Sequence, residues 1–268
     1  MTAAPRLVGQ QLVVGYEDRH ILNGIDLEVA PQQVTALLGP NGCGKSTLLK
    51  TLARTLTPMQ GQVVLDGEAI SHQSTRSIAQ RLGILPQSPT APAGLTVKEL
   101  VALGRFPHRR LWRHNSQADQ AAIDEAMAIT HVDSLAERSV DTLSGGQRQR
   151  CWIAMVLAQQ TDLVLLDEPT TYLDLKVQVD LLSLLTQLAH EQNRTLLVVL
   201  HDLNLAAAYA DRLVMMRDGQ ILQQGTPQQV FTADNLRQVF DLEARIIHDP
   251  LSGTPICVPQ PIGTDPRG

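Results

Sequence analysis

Aromatic side chains are scarce: three Phe, three Tyr and two Trp make up 3% of 268 residues. A stacking platform for single-stranded nucleic acid needs more rings than that, so this class is excluded. A basic surface is lacking too. Lys and Arg number 22 against 27 Asp and Glu, and the formal net charge of −5 is the wrong sign for a nucleic-acid binder. The three cysteines, Cys43, Cys151 and Cys257, are odd in number and widely spaced. They give neither a zinc pattern nor a disulfide framework, as expected in a reducing compartment. Long hydrophobic runs are also missing. The apolar stretch 196–200 falls far short of the roughly 18 residues of a spanning helix. Residues 1–10 lack the charged-then-apolar layout of a secretory signal. The expectation is a cytosolic chain whose membrane spans, if its process needs any, come from other chains.

What is present is a hydrophobic share of 43% against 18% charged, enough for a buried core in one large domain or two small ones. Runs at 12–14, 25–29 and 34–38 read as strands, with turns at Asn23-Gly24 and Pro31. A helix opens at Ser46, and further strands follow at 62–65, closed by Asp66-Gly67, and at 82–85. Across 88–142 the strand runs vanish. Helical patterns at 97–103 and 118–130, with Ile123, Met127 and Thr130 at helical spacing, replace them. Then come a helix at 148–159, a strand at 163–168, a helix at 175–191, a strand at 195–200 and a helix at 203–209. Such alternation implies an α/β fold with a mostly parallel sheet covered by helices. A hairpin around Asp218-Gly219, two short helices from Pro227, a strand-like 244–247 and a proline-rich end complete the chain.

Three motifs carry chemistry. Gly39-Pro40-Asn41-Gly42-Cys43-Gly44-Lys45-Ser46, followed by Thr47, stands between the apolar strand 34–38 and a helix, which is the setting of a phosphate-binding loop. Glycines let successive backbone N–H groups converge on phosphate oxygens, and the helix start adds the positive end of its dipole. Lys45 brings a point charge to the β- and γ-phosphates, and Ser46 offers an oxygen to Mg²⁺. Cys43 lies at that helix start, where a thiolate would be favoured, but with no redox chemistry nearby it reads as a small filler.

The second motif, Ser144-Gly145-Gly146-Gln147 after Leu143, opens a helix. Ser144 and Gln147 form a capping box. Capping does not explain two glycines in the first turn, which lower helix stability by about 1 kcal/mol each relative to alanine. Bare N–H groups do, and they make a second anion-binding helix start. The third motif is Asp167-Glu168-Pro169, closing the apolar run 163–166. Two adjacent carboxylates at the carboxyl end of a buried strand lie where ligands bind in such sheets.

In this order the motifs resemble the ATP-binding cassette (ABC) family of transporter ATPase subunits, over about residues 6–260. The resemblance implies a P-loop NTPase core with an N-terminal antiparallel β subdomain and an inserted helical subdomain. That is one domain over 1–240, with its core at 1–87 and 143–240 and its helical subdomain at about 88–142, and a short C-terminal extension at 241–268. It implies ATP and Mg²⁺ as ligands, with Asp167 holding Mg²⁺ through its water shell and Glu168 polarising the attacking water. His201, after the strand 195–200, becomes the switch contacting the γ-phosphate. Gln87, after Leu85-Pro86, touches Mg²⁺ and links the core to the helical subdomain. Asp174 corresponds to a dimer-contact aspartate and equally suits an N-cap. Thr171-Tyr172 departs from the Ser-Ala common at that point. Tyr16 is the candidate to stack on adenine or, more plainly, a packing residue.

The two phosphate sites fall on opposite partners in the family, so a second copy of the chain is implied. So are two transmembrane permease subunits and a periplasmic or lipid-anchored substrate-binding protein, with this chain peripheral at the cytoplasmic face of the inner membrane. The flanking runs 104–108, 200–204 and 249–255 resemble importer subunits for ferric enterobactin and hydroxamate siderophores. Related cobalamin or haem importers, an exporter, and a soluble cofactor-assembly ATPase share the core motifs. A DNA-repair or chromosome-structure ATPase would need a coiled-coil insertion, and no heptad run exists. The basic cluster Arg105, His108, Arg109, Arg110, Arg113 and His114 reads either as a face toward lipid or membrane subunits or as a solvated face.

Overall fold

The computed structural model describes residues 4–16, 19–109 and 116–260. The chain divides into two compact units, 1–71 with 197–268 and, separately, 72–196, so the segment 88–142 lies wholly within the second.

In the first unit, β1 (Leu7–Tyr16) pairs antiparallel with β2 (Arg19–Val29). Next along the chain come β3 (Val34–Leu38) and α1 (Lys45–Leu52). β4 (Gln60–Leu65) adds to the other edge of β1 and carries the two-residue β5 (Glu68–Ala69). Alternate residues of β2 are buried, Leu22, Ile25, Leu27 and Val29 among them, as a sheet with one covered face requires.

The turn expected at Asn23-Gly24 does not form; both residues lie inside β2. Gly24 at φ +73° and Gln11 at φ +48° instead absorb a slip in the β1–β2 ladder. Asp26 satisfies the displaced Gln11 N–H at 2.9 Å. The left-handed preference of Asn-Gly has gone into a bulge rather than a hairpin.

The second unit begins with α2 (Thr75–Ala79), a short helix that periodicity does not reveal. β6 (Leu82–Leu85) follows, and then α3 (Val97–Leu103), α4 (Gln117–Ile129) and α5 (Gly145–Ala158), which pack on one another. Each of these three helices opens with a capping box, at Thr96, Ser116 and Ser144. Their contact buries Leu100, Val101, Ile123, Met127, Trp152 and Ile153. Gly104 ends α3 against α5 so closely that a Cβ there would collide with Met155 O. β7 (Leu163–Leu166), all buried, pairs in parallel with β6, Leu82 opposite Leu163 and Leu85 opposite Leu166. α6 (Leu175–Glu191) and the start of β8 (Thr195–Val199) close this unit, where Thr195 N–H reaches Asp162 O at 2.7 Å.

Back in the first unit, α7 (Leu203–Tyr209) leads to β9 (Arg212–Arg217), which lies parallel to β3. β10 (Gln220–Gly225) returns antiparallel through Asp218 and Gly219, both at positive φ, as a hairpin with this dipeptide demands. After α8 (Pro227–Val230) and α9 (Ala233–Phe240), the described part of the proline-rich end contains a strand. β11 (Ala244–His248) and β12 (Pro255–Pro259) form an antiparallel pair. Its two prolines sit at the ends of β12, where a missing N–H costs least. Among the described residues no helix is long and apolar enough to cross a membrane.

Among the described residues of the basic cluster, Arg105, His108 and Arg109 are engaged with the protein rather than simply solvated. Arg105 is buried and pairs with buried Asp119 at 2.8 Å, and its guanidinium also donates to Ala158 O at 2.7 Å and Gln160 Oε1 at 2.9 Å. His108 Nε2 meets Gln159 O at 2.8 Å, and Arg109 donates to Ala102 O at 3.1 Å. Arg110, Arg113 and His114 lie outside the described residues. The polar hydrogens of Arg105, His108 and Arg109 go to carbonyls at the C-terminal ends of α3 and α5 and, for Arg105, to the Asp119 carboxylate in the first turn of α4.

Burial would push the Asp119 carboxyl up, but hydrogen bonds from Arg105 and Ser116 outweigh it and hold it at about 2, below the ordinary 3.8. Stability from this pair is therefore present above the ordinary carboxylate range and lost as pH falls through about 2. Asp119→Asn strands the buried Arg105 charge and should cost about 3 kcal/mol in urea unfolding at pH 7. The gap to wild type should narrow as the medium is acidified; a gap independent of pH would refute the pairing.

Candidate active site

The phosphate loop belongs to the first unit. β3 delivers Gly39 at its end, and a Cβ there would collide with Met216 O of β9. Gly44 precedes α1 at φ +107° with no side-chain cap. A Cβ on Gly44 would lie 2.7 Å from Leu22 Cδ2. Leu48 N–H is the first helical donor, reaching Gly44 O at 2.8 Å. Gly44 offers no side-chain cap to α1, and no acidic side chain stands in the first turn.

Lys45 is buried and folds back on its own loop. Its Nζ donates to Gly39 O at 2.8 Å and Pro40 O at 3.0 Å. Pro40, Asn41, Gly42, Ser46 and Thr47 complete the loop and the first helical turn. Cys43 is buried, and burial pushes its thiol up against the pull of Lys45, so the thiolate that the helix start favours does not prevail. It packs as a filler. Its carbonyl takes Gly219 N–H at 3.1 Å, a brace from the β9–β10 turn that sequence reasoning missed. Asp218-Gly219 signals a hairpin, but nothing local to it signals what the turn will touch.

His201 is in the same unit, exposed, one residue past Leu200, whose N–H is fixed to Leu37 O at 3.2 Å. It therefore stands at the same end of the sheet as the loop, since Leu37 lies only two residues before Gly39. Asp202 caps α7 through Leu205 N–H at 2.8 Å. Tyr16 ends β1, and its side chain lies outside the described residues.

The second unit holds the other candidates. Asp167 is buried at the end of β7, its N–H on Leu85 O at 2.9 Å. Glu168 follows at φ +52°, a left-handed conformation that is costly for glutamate and typical of functional turns. Its Oε2 accepts from Gln87 Nε2 at 2.6 Å and from Thr171 Oγ1 at 3.3 Å. Gln87 thus meets the carboxylate directly, and Thr171, which entered only as a departure from a family pattern, helps orient it.

Ser144 caps α5 as expected: Gln147 N–H lies 3.3 Å from Ser144 Oγ, and Ser144 N–H lies 3.2 Å from Gln147 Oε1. A Cβ on Gly145 would meet nothing within 4 Å, whereas one on Gly146 would lie 3.2 Å from Val177 Cγ1. Packing explains the second glycine. Openness fits the first, which is exposed and has nothing near its Cβ position. Asp174 caps α6 through Val177 N–H at 3.0 Å, and beside it Tyr172 and Leu175 are 100% and 66% exposed.

The donors assigned to Mg²⁺, namely the Ser46 hydroxyl, the Gln87 amide oxygen and the Asp167 carboxylate, are all hard oxygens that suit this ion. Among the described residues no group of three or more His, Cys, Asp or Glu could hold a metal on its own.

A family profile described as ABC transporter matches residues 22–171. The chain is 50% identical to the ferric enterobactin transport ATP-binding protein FepC of Escherichia coli (strain K12), covering 95% of this chain and 94% of that protein. It is 48% identical to the iron(3+)-hydroxamate import ATP-binding protein FhuC of Bacillus subtilis (strain 168), across 93% of each. Its fold is similar to the dimeric structure of MJ0796, a bacterial ABC transporter cassette, with a TM-score of 0.74 and 25% identity over 82% of this chain and 98% of that one. With the uncapped phosphate loop, the open glycine turn and the paired carboxylates in place, the chain belongs to the ABC transporter family, as one of its ATP-hydrolysing subunits.

Proposed function

We propose that this chain powers uptake of an iron–siderophore complex, two copies closing on ATP and reopening after hydrolysis. The observation that carries the cargo is the 50% identity to FepC over nearly the whole of both chains. The exposed, unhindered Gly145 at the start of α5 supports closure, since a second anion site on one chain needs a nucleotide held by another.

Phosphoryl transfer needs positioning and charge neutralisation more than covalent chemistry. The backbone N–H groups of 39–47 grip the β- and γ-phosphates, and Lys45 exchanges its two loop carbonyls for phosphate oxygens. Bound Mg²⁺ would neutralise charge between those phosphates, with Ser46, Gln87 and Asp167 as its holders. Glu168 aligns water for attack on the γ-phosphorus; the bond to the β–γ bridging oxygen breaks and ADP leaves. Gln87 and Thr171 fix the direction of that carboxylate. His201 contacts the γ-phosphate, Tyr16 stacks on adenine, and Ser144, Gly145, Gly146 and Gln147 of the second copy complete the cage. Exposed Tyr172 and Leu175 flank Asp174 on the face offered to that copy. Two membrane permease subunits and a substrate-binding protein complete the importer, with this chain peripheral at the cytoplasmic face of the inner membrane.

Glu168→Gln should bind ATP as wild type does, lose hydrolysis by about a thousandfold, and accumulate as an ATP-held dimer in size-exclusion chromatography. Undiminished turnover would remove Glu168 from its role. Cells lacking the chain should fail to accumulate radiolabelled ferric siderophore, with rescue by wild type and not by Glu168→Gln. Normal uptake in the deletion strain would defeat the cargo assignment while leaving the ATPase reading intact.

A further inference from the structure

Two sequence features remain unused by the nucleotide chemistry: Asn204, in the run after His201, and the loop 249–254 near the chain end. In the first unit they belong to one assembly. A two-stranded hairpin is marginal alone, so β11–β12 must be fastened elsewhere. Asn204 fastens it. Its Nδ2 donates to Cys257 O at 3.2 Å and its Oδ1 accepts Cys257 N–H at 2.7 Å. The side-chain amide engages a β12 residue in both directions, as a neighbouring strand would.

The hairpin end of this link is built to hold its register. Cys257 is buried and faces Ile246 across the ladder. Asp249 Oδ1 accepts Leu251 N–H at 2.7 Å and Ser252 N–H at 2.9 Å, and Gly253 at φ +70° closes the loop onto Asp249 O at 2.9 Å. The helix end is short of other support. α7 has only seven residues, too few to be stable by itself. Its start carries the Asp202 cap and the Asn204 clamp, and its packing partners are β12 and β3. His201 lies directly between Leu200, anchored to β3, and this clamped first turn.

We propose that Asn204 is a positioning residue for ATP hydrolysis, holding the first turn of α7 on β12 and thereby aiming His201. The C-terminal hairpin then works as part of the ATPase rather than as an appendage. The inference rests on the reading of His201 as the γ-phosphate contact.

The test is a double-mutant cycle in the full-length chain, with steady-state hydrolysis of radiolabelled ATP followed over a range of ATP concentrations, sensitive enough to measure slow residual rates. Asn204→Ala should lower kcat by about tenfold and leave KM for ATP within about twofold of wild type. In a His201→Ala background the same substitution should change the residual rate by less than about twofold, because groups acting through one another are not additive. Equal fold losses in both backgrounds would overturn the positioning role, as would an unchanged kcat in Asn204→Ala. Full turnover in His201→Ala alone would remove His201 from the reaction and take both readings with it. Asn204→Asp keeps the acceptor for Cys257 N–H and removes the donor; it carries the same cycle if the alanine variant does not fold.

Discussion

A helix start without a side-chain cap is unfavourable unless something else satisfies its N–H groups, and α1 begins this way. Most other helices of the chain carry a capping oxygen, from Ser74 on α2 to Thr232 on α9. The omission at Gly44 is paid for by packing around it: Leu22 beneath, Met216 against Gly39, Cys43 filling the loop interior. These neighbours hold a strained arrangement open for a ligand with several negative oxygens. Lys45 meanwhile rests on the loop's own carbonyls, so its charge is not buried without hydrogen bonds.

The carboxylate end of β7 follows the same logic of cost offset by rigidity. Glu168 adopts a left-handed conformation in a turn where Pro169 stops the ladder, and the distant Gln87 and the nearby Thr171 converge on one of its oxygens. A carboxylate fixed by two donors loses little freedom when it engages water. The glycine turn at 144–147 differs in kind. There the backbone is relaxed and capped, and specificity comes from what is missing at Gly145.

The sequence made local features legible. α3 matches its expected limits because its apolar spacing and capping box are all within a few residues, and the four buried residues of β7 form one uninterrupted run. What depended on distant partners stayed hidden. Nothing near Asn23-Gly24 says that the β1–β2 ladder slips there. Nothing near Arg105 says that Asp119 and the end of α5 will enclose it. β12 was unreadable because its prolines argue against a strand, and its partner Asn204 lies on a helix 53 positions away. At the site, the roles came from motif order, while the Gln87–Glu168 contact spans 81 positions that no local pattern connects.

The β9–β10 turn has a practical consequence. Asp218-Gly219 looks like the surface bend where an epitope tag or a reporter loop is usually spliced without harm. Here Gly219 donates to Cys43 inside the phosphate loop and accepts from Asn23 of β2, and any side chain on it would strike Ile21 O. Lengthening that bend would loosen the nucleotide cradle from behind, so grafts belong elsewhere on this protein.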